Sequence, residues 1–309
     1  MYSSTIYIIG AGAIGKALAV FLLHAGKNAV LVRGSVNDGT SKIQDITIEI
    51  ADGNLLTYSV QTVTLDCIDQ FEGIVLLTNK AFGNAALAGQ LCNKGTDYPL
   101  VLMQNGLGIE ATFIEHGFKF VYRSVLFVTC QEMGENMFRF RPVKESPVGI
   151  TKGSNEELEL LVDRMNTALF PFSPSHDIRT IVWEKTIMNT VFNSVCPLLA
   201  IDNGIFYRSE KALQLARRLI NSCVQIAQKA GITIYAEKIE DGLLKISRAS
   251  DGQLISTLQD ILHDRLTEID HLNFELVRIA TSLGIQEQAK EILLLGELIK
   301  LKSNKHHTI

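Results

Sequence analysis

Ten residues into the chain, Gly10-Ala11-Gly12-Ala13-Ile14-Gly15 spells GxGxxG between an apolar run at 5–9 and a helical run at 13–25. The first glycine of such a turn allows the tight bend. The second lets a pyrophosphate approach the backbone, and the third permits close helix–strand packing. The helix start adds unpaired N–H groups and a partial positive charge. A glycine turn alone also joins strands to helices for purely structural reasons. Placed inside a strand–helix–strand unit, this one predicts a bound dinucleotide.

The end of the second strand selects among dinucleotides. An acid about 20 residues on would hold a ribose 2′-OH. The chain instead reads Val30-Leu31-Val32-Arg33-Gly34-Ser35, with Asp38 lying beyond the strand end. A guanidinium and a hydroxyl suit a 2′-phosphate, so NADPH is the expected cofactor, with Arg33 and Ser35 as its contacts. A solvated surface arginine is the plainer reading of Arg33.

Strands are expected at 5–9, 29–32, 46–50, 57–63, 73–78, 100–103, 121–129 and 137–140, the third and fourth forming a hairpin around Ala51-Asp52-Gly53-Asn54. Helices at 13–25, 81–91 and 109–116 alternate with them. This predicts a parallel, doubly wound sheet. Beyond 174 the pattern is helical, at 178–195, 209–230, 236–248, 256–283 and 287–302. The proline-rich stretch 170–174 is read as the boundary, giving an α/β Rossmann-type domain over 1–174 and an all-α substrate domain over 175–309.

The helix at 178–195 carries Lys185, Asn189 and Asn193 at i, i+4 and i+8, one polar column on a helix otherwise apolar. Such a column lines a cavity, is bonded internally, or is the wet face. Reduction of a ketone develops negative charge on its oxygen, which needs a proton donor and oriented dipoles. A shielded lysine with two amides supplies both for a polar keto acid. Lys80, in Thr78-Asn79-Lys80-Ala81, ends a parallel strand at the ligand-bearing edge, where it reads as an anion contact or a surface lysine. Asn105, in Gln104-Asn105-Gly106-Leu107-Gly108, reads as a bridge between cofactor and substrate or as an Asn-Gly turn. Ser256-Thr257-Leu258-Gln259 has capping-box form, making Ser256 a helix N-cap and a candidate carboxylate contact. Glu268 sits among apolar helix positions, where an exposed helix charge is the simpler assignment.

Together these landmarks resemble the ketopantoate reductase family over essentially the whole chain. The resemblance implies that the glycine loop and Arg33 bind NADPH, that Lys80 and Asn105 serve the cofactor, and that Lys185 is the proton donor. It implies substrate contacts at Asn105, Asn189, Asn193, Asn203 and Ser256, the last holding the carboxylate. Glu268, in Thr267-Glu268-Ile269-Asp270, would approach the cofactor, and Thr129 aligns with a small cofactor-contacting residue. Arg123-Ser124 stands where the family has a glycine and small residues. The implied reaction is reduction of 2-dehydropantoate to pantoate, on the way to pantothenate and coenzyme A. Rival readings are an NADP-dependent reductase of another branched 2-keto acid and a noncatalytic NADP-binding or sensing protein.

Composition narrows the field. With 29 Lys+Arg against 33 Asp+Glu and a net charge of −4, the basic excess expected of a nucleic-acid binder is missing. Charged residues at 20% and hydrophobic residues at 47% describe a packed globule. No apolar run reaches the ~20 residues of a membrane span. The N-terminal run lacks the basic flank and cleavage site of a secretory signal. The five scattered cysteines suit reduced packing positions in a cytoplasmic protein. His263, Asp264 and His271 form no metal-binding pattern, so no metal is expected. A homodimer is left open.

Overall fold

The computed structural model describes residues 5–34 and 36–303, and the chain divides into two compact units. The first comprises Met1–Gln104 and Ile109–Ile178, the second Asn105–Gly108 and Arg179–Ile309.

The first unit is built on one 11-stranded sheet. Its centre is six parallel strands in spatial order β7 (Phe120–Ser124), β6 (Pro99–Leu102), β5 (Ile74–Leu77), β1 (Ile6–Ile9), β2 (Ala29–Arg33) and β4 (Leu55–Thr64). β5 and β6 read IVLL and PLVL, buried at every position. Continuous apolar runs are what strands covered on both faces require. On one face Ile6, Ile8 and Leu31 pack with α1 (Ala13–His24). On the other, Ile9, Val32 and Leu102 pack with α2 (Asn84–Cys92) and α3 (Ala111–Glu115).

The sheet is wider and more mixed than the parallel array expected. β3 (Ser41–Glu49) runs antiparallel to β4, and the hairpin of β8 (Val128–Gly134) and β9 (Met137–Pro142) joins beyond it. At the opposite edge β10 (Ser146–Lys152) lies antiparallel to β7. The single strand expected at 121–129 is therefore two strands far apart in the sheet, β7 third from one edge and β8 at the other. The chain leaves β7 at Val125, whose N–H bonds Pro147 O at 3.0 Å, and Phe127 N–H turns to Ser146 Oγ at 3.2 Å.

The stretch at 170–174 also departs from expectation. Phe172–Pro174 is β11, paired with β10, so the prolines close an edge strand rather than a linker. Between them α4 (Asn155–Met165) has Ser154 as N-cap, its Oγ accepting from Glu157 N–H at 3.4 Å.

The second unit is helical. α5 (Ile178–Leu199) continues through Pro197, and α6 (Ile205–Arg208), α7 (Glu210–Lys229) and α8 (Ala236–Ala249) pack on one another. The continuous helix expected at 256–283 is broken. α9 (Ser256–Leu262) ends before Asp264, whose φ of +53° no helix accommodates. A π-helical turn at Asp270–Phe274 then leads into α10 (Glu275–Ser282), and α11 (Lys290–Ser303) follows. Among the described residues no helix is long and apolar enough to cross a membrane. Among them also, no three His, Cys, Asp or Glu side chains gather as metal ligands.

Candidate active site

The glycine turn shows why each glycine is there. At Gly10 φ is +123°, and a Cβ would meet Asn79 N at 2.5 Å and Thr78 Oγ1 at 2.6 Å. At Gly15 a Cβ would run into the Gly10 carbonyl. Gly12 is exposed and has nothing within 4 Å of a Cβ, so this side of the turn is open to a ligand. α1 starts there with no acid in its first turn and no side-chain cap, which leaves its N–H groups for an anion.

The end of β5 braces the turn. Thr78 and Asn79 both donate backbone N–H to Ile9 O, at 2.8 and 3.2 Å, and Thr78 Oγ1 donates to Gly10 O at 2.9 Å. Asn79 Oδ1 is buried without a hydrogen-bond partner among the described residues. A lone acceptor beside an open glycine turn suits a ribose hydroxyl. The half-buried Lys80 follows directly. These residues fit a dinucleotide.

Arg33 ends β2. Its Nη1 donates to Thr40 Oγ1 at 3.2 Å and stands 3.7 Å from Asp38 Oδ2. Hydrogen bonds from the Thr40 hydroxyl and N–H, with a smaller share from the Arg33 charge, hold the Asp38 carboxyl below its ordinary range. Ser35 lies outside the described residues. Thr129 is exposed on β8, whereas its neighbour Cys130 donates from Sγ to Ala13 O at 3.3 Å. Cys130 thus meets the start of α1, and alternation along the strand sends Thr129 to the other face. Burial pushes the Cys130 thiol up to about 12, which makes it an inert packing group.

In the helical unit, Val182, Trp183, Ile187, Val191, Phe192 and Val195 are buried on α5, while Lys185 and Asn189 are half-buried. Asn193 is 2% exposed. Its Nδ2 donates to Asn189 O at 2.9 Å, and its Oδ1 accepts from Thr257 N–H at 3.3 Å and Ser256 Oγ at 3.5 Å. The column therefore includes a member that ties α9 to α5 and fixes Ser256. Ser256 is the first residue of α9 rather than its N-cap, which is Ile255, and no side-chain cap forms. Its exposed hydroxyl is consequently not spent on the helix end.

Asn203 is 6% exposed, and its Oδ1 has no partner among the described residues. Its backbone is pinned on both sides, N–H to Gln253 O at 2.9 Å and O from Ser247 Oγ at 2.6 Å. Around it Arg208 bridges Asp202, at 2.8 and 2.9 Å, and Asp251. The Arg208 bonds hold the Asp202 carboxyl down to about 2. That bridge was not read from the sequence; an Asp and an Arg six residues apart carry no signal without the fold.

The loop Asn105–Gly108 belongs to the helical unit. Leu107 N–H donates to His271 O at 3.1 Å, and a Cβ at Gly106 would meet that oxygen at 2.5 Å. Asn105 Nδ2 donates to Glu268 Oε2 at 3.2 Å. Glu268 is 9% exposed, so the simple assignment as an exposed helix charge fails. It precedes the π-helical turn in non-helical chain, which turns it inward.

Comparison with known proteins adds to this geometry. Residues 6–149 match the family model described as ketopantoate reductase PanE/ApbA, and 177–303 match its C-terminal counterpart. A 2-dehydropantoate 2-reductase of Pyrococcus abyssi is 26% identical over 304 residues, covering 96% of this chain and 97% of that protein. One of Vibrio cholerae is 25% identical, covering 91% and 92%. Among solved structures, D-mandelate dehydrogenase with NADH and anilino(oxo)acetate superposes with a TM-score of 0.81 at 17% identity, covering 97% and 98%. A dimeric ketopantoate reductase from Staphylococcus aureus gives 0.77 at 18%, covering 97% and 99%.

Proposed function

Because the chain belongs to the ketopantoate reductase family, an oxidoreductase family using a nicotinamide dinucleotide, we propose that it reduces 2-dehydropantoate to pantoate with NADPH. The product would feed pantothenate and coenzyme A synthesis. The observation that carries the reading is the polar column of α5, with the half-buried Lys185 at one end and Asn193 locked to Ser256 at the other.

When bound, the nicotinamide supplies the hydride. Lys185 Nζ gives a proton to the substrate carbonyl oxygen as it becomes an alkoxide. Asn189 and Asn203 hold oxygen and hydroxyl groups of the substrate without adding charge, and the partnerless Oδ1 of Asn203 accepts from a hydroxyl. Ser256 donates its one hydroxyl proton to the carboxylate in exchange for its 3.5 Å bond to Asn193 Oδ1, while the Thr257 N–H bond to that oxygen keeps the start of α9 in place. Asn105, oriented by Glu268, serves the cofactor end, and Arg33 with Ser35 recognises the 2′-phosphate. A second reading, reduction of another 2-keto acid, is favoured by the mandelate dehydrogenase likeness.

Lys185→Ala tests the mechanism. The variant should fold, bind NADPH nearly as the wild type does, and lose about 10²–10⁴-fold in kcat, the usual worth of a general acid. In the wild type activity should fall as pH rises through the donor's pKa, and that limb should vanish in the variant. A folded Lys185→Ala protein turning over at the wild-type rate would remove the lysine from the chemistry.

A further inference from the structure

Arg123 is a charge inside the first unit, 4% exposed at the fourth position of β7. Alternation places it on the face of Val121, Leu100 and Leu102, the layer that α2 and α3 cover. Its Nη1 donates to Glu110 Oε2 at 2.8 Å and its Nη2 to Gln104 O at 3.4 Å. Gln104 and Asn84, both buried, exchange two side-chain amide bonds of 2.7 and 2.9 Å. Asn84 Nδ2 also reaches Ile109 O at 3.3 Å.

The two residues that flank the loop Asn105–Gly108 are Gln104 and Ile109. One buried cluster holds both, and it holds Glu110 as well. A buried guanidinium is costly unless it is paired, and an apolar side chain would fill the same place without that cost. What the charge adds is direction: one bond aimed at Gln104, the first root of the loop, and one at Glu110, the residue that follows the second. Burial draws the Arg123 pKa down from the ordinary arginine value, while Glu110 works against this, and the guanidinium keeps its charge.

We infer that Arg123 is a positioning residue: acting through Gln104 and Glu110, it sets the roots of the Asn105–Gly108 loop and so the placement of Asn105 during reduction. The kinetic part of this inference rests on the proposed reductase reading; the structural part does not.

The test compares Arg123→Met, Arg123→Lys and Glu110→Gln with the wild type. Phe170→Leu, in a fully buried site remote from the cluster in sequence, controls for stability. Arg123→Met should lower kcat for 2-dehydropantoate by about 10–100-fold, the scale of a misplaced contact. Arg123→Lys should restore most of it, whereas Phe170→Leu should lower Tm and leave kcat within about twofold. Hydrogen exchange at the Leu107 amide should quicken about 10-fold in Arg123→Met and not in Phe170→Leu. Should Arg123→Met fail to fold, Glu110→Gln carries the same measurements. Unchanged Leu107 exchange, an equal kcat loss in Phe170→Leu, or no recovery with lysine would overturn the inference. A wild type inert toward 2-dehydropantoate would instead defeat the reductase reading and leave the exchange measurement to decide this one.

Discussion

Arg33 shares its guanidinium with Thr40 and Asp38 at the end of β2. An exposed pair of this kind is worth little by itself, so a phosphate with more charge and more acceptors can take the arginine over. Asp38 works in the opposite sense, because a carboxylate beside that guanidinium repels a 2′-phosphate. A preference for NADPH should therefore depend on Arg33. Arg33→Ala should lower kcat/KM for NADPH about 10–100-fold, the equivalent of about 1.5–3 kcal/mol for a charge-assisted bond. The value for NADH should hardly move. Equal use of both cofactors by the wild type would defeat the assignment. Position in sequence suffices to place Arg33 at the second strand's end, where the structure has it. It did not suffice for Glu268, whose burial depends on a break in the helix that no periodicity announces.

At the scale of elements, one carboxylate adds to the backbone pairing that holds the β8–β9 hairpin on β3. Arg139 donates to Glu49 from Nε at 2.8 Å and Nη2 at 3.1 Å, and Arg141 from Nη2 at 2.7 Å. These bonds, Arg139 foremost, pull the Glu49 pKa from 4.5 to about 2. A depressed folded-state pKa means stability that is whole above the unfolded value of 4.5 and drains away as pH falls toward about 2. Denaturant midpoints across that window should show Glu49→Gln with a shallower acid limb than the wild type. Superimposable limbs would mean the bonds give no net stabilisation. Asp202, held down by Arg208, contributes a limb of its own that this substitution leaves intact. The hairpin also marks where pattern reading stopped. β5 and β6 announce themselves as unbroken apolar runs, but on Val128–Gly134 only Val128 and Cys130 pack against the core, too short an apolar face to stand out in sequence. α4 did carry a signal, Ser154-Asn155-Glu156-Glu157, an S-x-x-E cap that went unread. Ser256 carried the same kind of signal falsely, because capping is decided by backbone angles and Ile255 takes the cap position.

For the whole molecule, the chain crosses between its two compact units at Gln104/Asn105, Gly108/Ile109 and Ile178/Arg179. The dinucleotide contacts proposed from Gly10 to Lys80 lie in the first unit, and Asn105, Lys185, Asn203, Ser256 and Glu268 lie in the second. A protein needing only to hold a dinucleotide has no use for a lysine–asparagine column on a buried helix, which favours catalysis over sensing. The most direct test is the initial rate of the wild type with NADPH and with NADH, each against 2-dehydropantoate, unsubstituted branched 2-keto acids and an aryl 2-keto acid. NADPH with 2-dehydropantoate should give the highest kcat/KM of all pairs, by about tenfold or more, as a site built around a substrate hydroxyl discriminates. Higher efficiency with another keto acid, or no oxidation of either cofactor, would contradict it.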